Sequence, residues 1–305
     1  MKAAVVGAAG FLGRALCRRL LDCAWDVTGY DLAPPENLPA GLSFQRLDVL
    51  ADAPTFAPGT DAVFYLAQSP FYRDFPESAD HLFGVNTYGA IKAARAACGA
   101  NARLFCYTST GNAYAPSLEA LAETHPVRRD DPYALSKVAA EEAVRLFASR
   151  MPVSVLRLFG LFGPGQTRML PATLLARLRA GQEISLEPAE GEGDSTEGLT
   201  ISFTFVDDAA RVMEELAQRA LRAGRLPAVL NVAPPEPVSL RRFAEEMGGV
   251  IGIEPRFVRA RRTRTQNLIA DVRLLDSVLR PVWTPFTQAM ARSFAQEPFG
   301  VEAPV

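Results

Sequence analysis

Apolar residues in the first half of the chain come in short unbroken runs, and each run gives way to a segment where they recur every three to four positions. Lys2 to Val6 is the first run and fits a buried strand; Phe11 to Leu21 follows with helical spacing. Further strands are expected at Asp26 to Tyr30, Phe44 to Leu47, Ala62 to Ala67, Leu104 to Thr108 and Val153 to Leu158. A helix is predicted to begin around Val85-Asn86-Thr87-Tyr88-Gly89 and run through Ala97, and another to start at Tyr133. Strand and helix in alternation predict an α/β fold, a doubly wound parallel sheet of Rossmann type.

The pattern is less regular after Gly165. Leu170 to Arg179 reads as a helix, and Glu187 to Gly198 as an acidic, glycine-rich, mobile surface loop. Asp207 is expected to cap a helix running to Arg222, Leu230 to Ala233 to form a strand, and Ser239 to cap a helix from Leu240 to Met247. Arg256, Arg259, Arg261, Arg262 and Arg264 then crowd one stretch, whose apolar Phe257 and Val258 predict partial burial. The tail from Asp271 to Ala295 reads as two short helices around Pro281 and Pro285.

Composition narrows the setting. With 305 residues, 49% hydrophobic and 22% charged, the chain can bury a sizeable core. A net charge of −2 gives no overall pull toward nucleic acid or an anionic membrane. The four cysteines, Cys17, Cys23, Cys98 and Cys106, form no C-x-x-C pair and find no histidine at metal-ligand spacing. No segment is long and apolar enough to span a bilayer. A cytoplasmic protein with reduced thiols and no metal is expected.

Two stretches carry chemistry. Gly7-Ala8-Ala9-Gly10-Phe11-Leu12-Gly13 lies between the first strand and the first helix. Glycines there let the backbone approach a pyrophosphate, which rests on the free N–H groups of the helix start. Asp31 follows Gly13 by 18 positions, where the ribose-binding acid of a dinucleotide fold is found. A carboxylate there accepts from both adenosine hydroxyls and repels a 2′-phosphate, favouring NAD over NADP; the alternative is a turn aspartate before Pro34-Pro35. Asp48 is either a partner for the adenine amino group or a strand-end residue. The second stretch is Tyr133-Ala134-Leu135-Ser136-Lys137, whose four-residue spacing puts phenol and ammonium on one helix face. A fixed cation favours phenolate, so the pair is expected to be a proton acceptor of lowered pKa.

These features, in this order, resemble the extended short-chain dehydrogenase/reductase family, and within it the NAD-dependent nucleotide-sugar epimerases and dehydratases. The glycine motif, Asp31, Asp48-Val49, Leu66-Ala67, Val85-Asn86, Thr108 to Tyr114, Tyr133 with Lys137, and Val206-Asp207-Asp208 carry the resemblance over nearly the whole chain. It implies catalytic roles for Thr110, Tyr133 and Lys137, and NAD held by Gly7, Gly10, Phe11, Leu12, Gly13, Asp31, Asp48, Val49, Leu66, Ala67, Asn86, Thr108, Tyr133 and Lys137. It implies a substrate, a nucleotide sugar, contacted by Gln68, Thr110, Gly111, Asn112, Tyr133, Gly160 and Arg261. Pairing into a homodimer through the helices from Asn86 and from Tyr133 is also implied.

The expected division is a dinucleotide-binding domain over residues 1–165, with 200–233 packing back onto it, and a substrate region over 166–199 and 234–305. Departures from the pattern matter. Gly111 and Asn112 stand where 4,6-dehydratases keep an acid pair, so that elimination is not expected. Gly160 replaces a sugar-contacting asparagine, and Ile201-Ser202 replace an Arg-Asp pair. The reading is an NAD-dependent epimerase of a nucleotide-linked sugar acting at C4. A reductase or dehydrogenase of a sugar or other small carbonyl compound is the alternative, and a non-catalytic NAD-binding protein a weaker one.

Overall fold

The computed structural model describes residues 1–35, 37–192 and 196–295. The chain opens with β1 (Lys2–Val6), α1 (Phe11–Asp22), β2 (Asp26–Asp31), β3 (Ser43–Arg46) and β4 (Ala62–Tyr65). It continues through α2 (Ala79–Phe83), a π-helical stretch (Gly84–Gly89), α3 (Ala90–Gly99), β5 (Leu104–Thr110), α4 (Pro132–Arg145) and β6 (Val153–Leu158). Next come β7 (Leu161–Phe162), α5 (Met169–Arg179), β8 (Ile184–Leu186), β9 (Thr200–Ile201), β10 (Thr204–Phe205) and α6 (Val206–Ala223). The rest is β11 (Val229–Val232), β12 (Val238–Ser239), α7 (Leu240–Ile251), β13 (Phe257–Arg259), α8 (Arg273–Val278) and α9 (Phe286–Phe294).

Seven strands form one parallel sheet in the order β11-β6-β5-β4-β1-β2-β3. Strand order reverses between β1 and β4, and the crevice at their carboxyl ends is where such sheets take a ligand. Every residue of β4 and β5 is buried, which is why these strands read as continuous apolar runs. Alternation still divides the faces: Phe64 packs with α1 and α6 on one side, Tyr65 with α3 and α4 on the other. A third core, with Phe162, Ile201, Phe203, Phe243 and Met290, holds the C-terminal region together.

The helix expected from Val85 begins earlier, at Ala79, and widens into the π-helical stretch. Two tyrosine hydroxyls from the sheet reach its carbonyls: Tyr65 donates to Val85 O at 2.6 Å and Tyr107 to Asn86 O at 3.2 Å. Partners of that kind, distant in sequence, satisfy backbone groups that an irregular helix leaves spare.

One local expectation is corrected. Asp207 does not cap α6; it lies inside the first turn, after Phe205, and pairs with Arg292. The arginine-rich segment is partly buried, as its apolar residues predict: Phe257 lies under the Arg241 guanidinium, 4.4 Å from the ring centre, while Val258 is exposed. Of the acidic insert, residues 193–195 lie outside the described residues, and the described residues on either side are hydrogen-bonded. Glu192 accepts from Ala189 N–H at 2.6 Å and Glu197 N–H at 3.1 Å, and pairs with Arg264 at 2.7 Å; Thr196 and Gly198 are buried. Ser239 does cap α7, accepting from Arg242 N–H at 3.1 Å.

Candidate active site

At the end of β1, Gly7 turns the chain with φ +90°, and its N–H donates to Tyr30 O at 2.8 Å. A Cβ at Gly7 would lie 2.7 Å from Ala67 N, and one at Gly13 would run into Gly7 O, so only glycines allow this turn to lie against the end of β4. Gly10 precedes α1 and brings no capping side chain. The N–H groups of Phe11, Leu12 and Gly13 therefore have no partner within the helix. Asp31, at the end of β2, accepts from Ala9 N–H and from Leu32 N–H, both at 2.8 Å, one on each carboxylate oxygen. Each oxygen retains acceptor capacity for a ribose hydroxyl.

A cavity of about 900 Å³ runs from this turn across the carboxyl edge of the sheet. Gly7, Gly10, Phe11, Leu12 and Asp31 line its first part, with Asp48 and Val49 beside them. Asp48 also accepts from Leu50 N–H at 2.9 Å, closing a turn. Leu66, Ala67, Gln68, Thr108, Thr110, Asn112, Tyr133, Lys137 and Gly160 line the remainder. Thr108 Oγ1 and Gln166 Oε1, on lining residues, are buried without a hydrogen-bond partner. The glycine cradle, the uncapped helix start, the Asp31 carboxylate and the orphaned Thr108 hydroxyl fit a dinucleotide.

Four predicted site residues lie outside the lining. Gly13 supports the turn from behind. Asn86 is fully buried under the site, accepting from Ser69 N–H at 3.0 Å and donating to Ser136 Oγ at 2.9 Å. Gly111 packs under the Phe159 ring, which a Cβ would meet at 2.6 Å. Arg261 is exposed on the outside, because its segment runs along the insert, and Arg264 of that segment turns back to Glu192 and to Glu187 O.

At the reaction end, Thr110 closes β5, two residues beyond the predicted strand end, and accepts from Asn112 N–H at 3.1 Å. Asp131 caps α4 by accepting from Ala134 N–H at 2.8 Å, and Pro132 starts the helix, so Tyr133 stands in its first turn. The expected acidification of Tyr133 by Lys137 does not occur. Burial raises the Tyr133 pKa above its ordinary value, and a hydrogen bond with Thr110 opposes this only in part. The phenol keeps its proton and donates it to Gln68 Oε1 at 2.9 Å. Lys137 instead donates to Thr108 O at 2.9 Å, with its ammonium 5.0 Å from the Tyr107 ring centre. Burial draws the Lys137 pKa down to about 8, against the pull of Glu141. Glu141, one turn further along α4, is itself buried, held by both Arg157 of β6 and Ser109 of β5.

Side chains that the sequence did not single out close the site. Tyr72 lies 5.3 Å from Tyr133, ring centre to ring centre, and its hydroxyl donates to Met169 Sδ at 3.3 Å across the cavity. Phe71 and His81 stack edge to face at 4.9 Å, both on the lining. The available signal was two aromatics just after β4, in a loop at the carboxyl edge where these sheets bind ligands.

The model of the "NAD dependent epimerase/dehydratase family" matches residues 3–233. The chain is 27% identical over 229 residues to the uncharacterized UDP-glucose epimerase YtcB of Bacillus subtilis, covering 69% of this chain and 71% of the relative. It is 30% identical over 273 residues to a 2-alkyl-3-oxoalkanoate reductase of Stenotrophomonas maltophilia, covering 83% of this chain and 76% of the relative. It shares its fold with MoeE5 solved in complex with UDP-glucose and NAD: TM-score 0.78, 24% identity, 96% of this chain and 97% of that one. With the family model matching most of its length, the chain is an enzyme of the NAD-dependent epimerase/dehydratase family.

Proposed function

We propose that this enzyme moves a hydride between a carbinol carbon and NAD, with the accompanying proton carried at Tyr133 Oη. The observation that carries the reading is the meeting of Tyr133, Thr110 and Lys137 on the cavity that starts at the glycine turn. The turn and the N–H groups of α1 would hold the pyrophosphate, Asp31 the adenosine hydroxyls, Asp48 and Val49 the adenine, and Lys137 the nicotinamide ribose. Bound NAD supplies the hydride acceptor and donor and, in its oxidised form, a positively charged ring. Tyr133 as a neutral phenol is set to give its proton to a carbonyl oxygen; as an acceptor it needs added positive charge, because Lys137 is turned to Thr108. The Thr110 hydroxyl orients the same substrate oxygen, and Gln68 takes up or releases the Tyr133 hydrogen bond as substrate enters and leaves.

Two outcomes follow from one chemistry. Return of the hydride to the other face gives an epimer; the UDP-glucose epimerase relative supports that outcome on a nucleotide-linked sugar, with C4 as the proposed centre. Release of the oxidised or reduced product gives a net reductase or dehydrogenase. The absence of arginine from the lining among the described residues favours this second outcome, as does the 2-alkyl-3-oxoalkanoate reductase relative. Pairing of two chains through α3 and α4 belongs to the same proposal, supported by Tyr88 and Leu146, exposed beside those helices. NADH absorbance during turnover separates the outcomes: an epimerase leaves it unchanged, and a reductase or dehydrogenase changes it mole for mole with substrate. Failure of Tyr133→Phe to slow either process would refute the hydride reading.

A further inference from the structure

We infer that the part of the cavity walled by the C-terminal region receives an apolar alkyl or acyl chain attached to the reacting carbonyl carbon, and no diphosphate. The inference rests on the hydride chemistry at Tyr133 and bears on what the substrate carries beyond it.

That wall is made by Met169, Leu170 and Pro171 at the start of α5, Leu199 and Ile201 around β9, and Leu268. All are apolar. Among the described residues, the lining of the whole cavity holds no arginine and one lysine, Lys137, whose ammonium is buried and already bonded to Thr108 O. Two phosphate charges placed against this wall would lose their water without gaining a partner, at a cost several times that of an ordinary lost hydrogen bond.

Two arginines of the neighbouring segment are committed elsewhere, and Arg168, beside Met169, is exposed to solvent and absent from the lining among the described residues. Arg264, mostly buried, pairs with Glu192 and donates to Glu187 O, and Arg256 reaches Gly181 O on the far side. The wall is also closed to the polar side chain that Gly160 lacks. Gly160 sits at φ +41°, and a Cβ there would lie 2.5 Å from Ile201 Cγ2 and 3.1 Å from Phe203 Cδ1. Ile201 fills the space a side chain at 160 would need, so Gly160 and Ile201 together leave the cavity an apolar surface there. Ser202, next to it, is fully buried and accepts from Ala270 N–H at 3.0 Å, leaving it no part in the lining.

An apolar wall reads chain length. Each methylene it buries is worth about a fourfold gain in kcat/KM. The test uses the full-length enzyme with NAD and a series of secondary alcohols from 2-butanol to 2-decanol, with UDP-glucose in parallel. Turnover is followed by NADH and, for UDP-glucose, by product analysis. Binding is measured separately by calorimetry on the NAD-loaded Tyr133→Phe enzyme. The expected result is a rise with chain length in both measurements, no heat from UDP, and a flattened trend in Ile201→Arg that Ile201→Met preserves. Tight UDP binding or UDP-glucose turnover without a chain-length trend overturns the inference and leaves the hydride reading standing. A binding trend in the Tyr133→Phe enzyme, with no turnover of any alcohol by wild type, supports the apolar wall and counts against the hydride reading. Loss of fold in Ile201→Arg is recognised by its melting curve, and the comparison then rests on wild type and Ile201→Met.

Discussion

Tyr133 gives its hydroxyl hydrogen to Gln68 Oε1 at 2.9 Å, while Lys137, one helical turn away, donates to Thr108 O. The two groups expected to act on each other each have a different partner. In Tyr133→Phe the ring and its contact with Tyr72 remain, and only the proton carrier is lost. Turnover is expected to fall by about 10²- to 10⁴-fold, with NAD affinity within a few-fold of wild type. Steady-state rates beside a cofactor titration decide it; unchanged turnover contradicts the assigned role.

Lys137 makes stability depend on pH. Its folded pKa lies at about 8, below the ordinary 10.5. Below about 8 both folded and unfolded chains carry the proton, and folding bears the full cost of burying an ammonium. Between about 8 and 10.5 the unfolded chain binds a proton that the folded chain does not, so this contribution to stability rises with pH. The Cys17 and Cys106 thiols, pushed up to about 12 by burial, act in the opposite sense above their ordinary value of 9.0. The useful quantity is therefore the difference between wild type and Lys137→Met in urea midpoint, from about pH 7.5 to 9. It should move in favour of wild type as pH rises, and a flat difference would mean that the amine is not desolvated.

Gly160 and Ile201 should behave as one unit. Gly160→Asn accepts the left-handed backbone but drives its Cβ against Ile201, and is expected to cost about 1–3 kcal/mol by overpacking. Ile201→Ala in the same chain opens the space. Urea unfolding of the two single variants and the double variant should show clear non-additivity, the double variant being more stable than the sum predicts. Strictly additive costs would show that the contact is not what excludes a side chain at 160.

The insert depends on Glu192. Although burial opposes it, hydrogen bonds from Ala189 and Arg264 and the Arg264 charge bring its pKa down to about 2 from 4.5. The folded value is depressed, so the stabilisation is complete above about 4.5 and is lost as pH falls toward 2. Glu192→Gln is expected to lower the urea midpoint at pH 7, and the gap to wild type should narrow progressively across that acid range. A gap of the same size at both ends would place the effect in packing alone.

The alternation of strand and helix, the glycine turn, Asp31 at the end of β2 and the Tyr133-Lys137 spacing were all legible in the sequence. Each depends on residues within about one turn or one strand of each other, where the periods of 2 and 3.6 and the special backbone freedom of glycine apply directly. Boundaries beyond that range shifted when remote groups intervened: Tyr65 and Tyr107 support the π-helical stretch, and β5 runs on to Thr110 beside β6.

Tertiary structure alone decided the state and company of the chemical groups. Burial raises the Tyr133 pKa where spacing predicted a lowering, Arg264 is claimed by Glu192 from 72 positions away, and Arg261 is left outside the cavity. The apolar wall is assembled from α5, β9 and Leu268, segments with no shared sequence pattern. Desolvation and partner choice depend on which surfaces meet in space, and spacing along the chain carries no information about that.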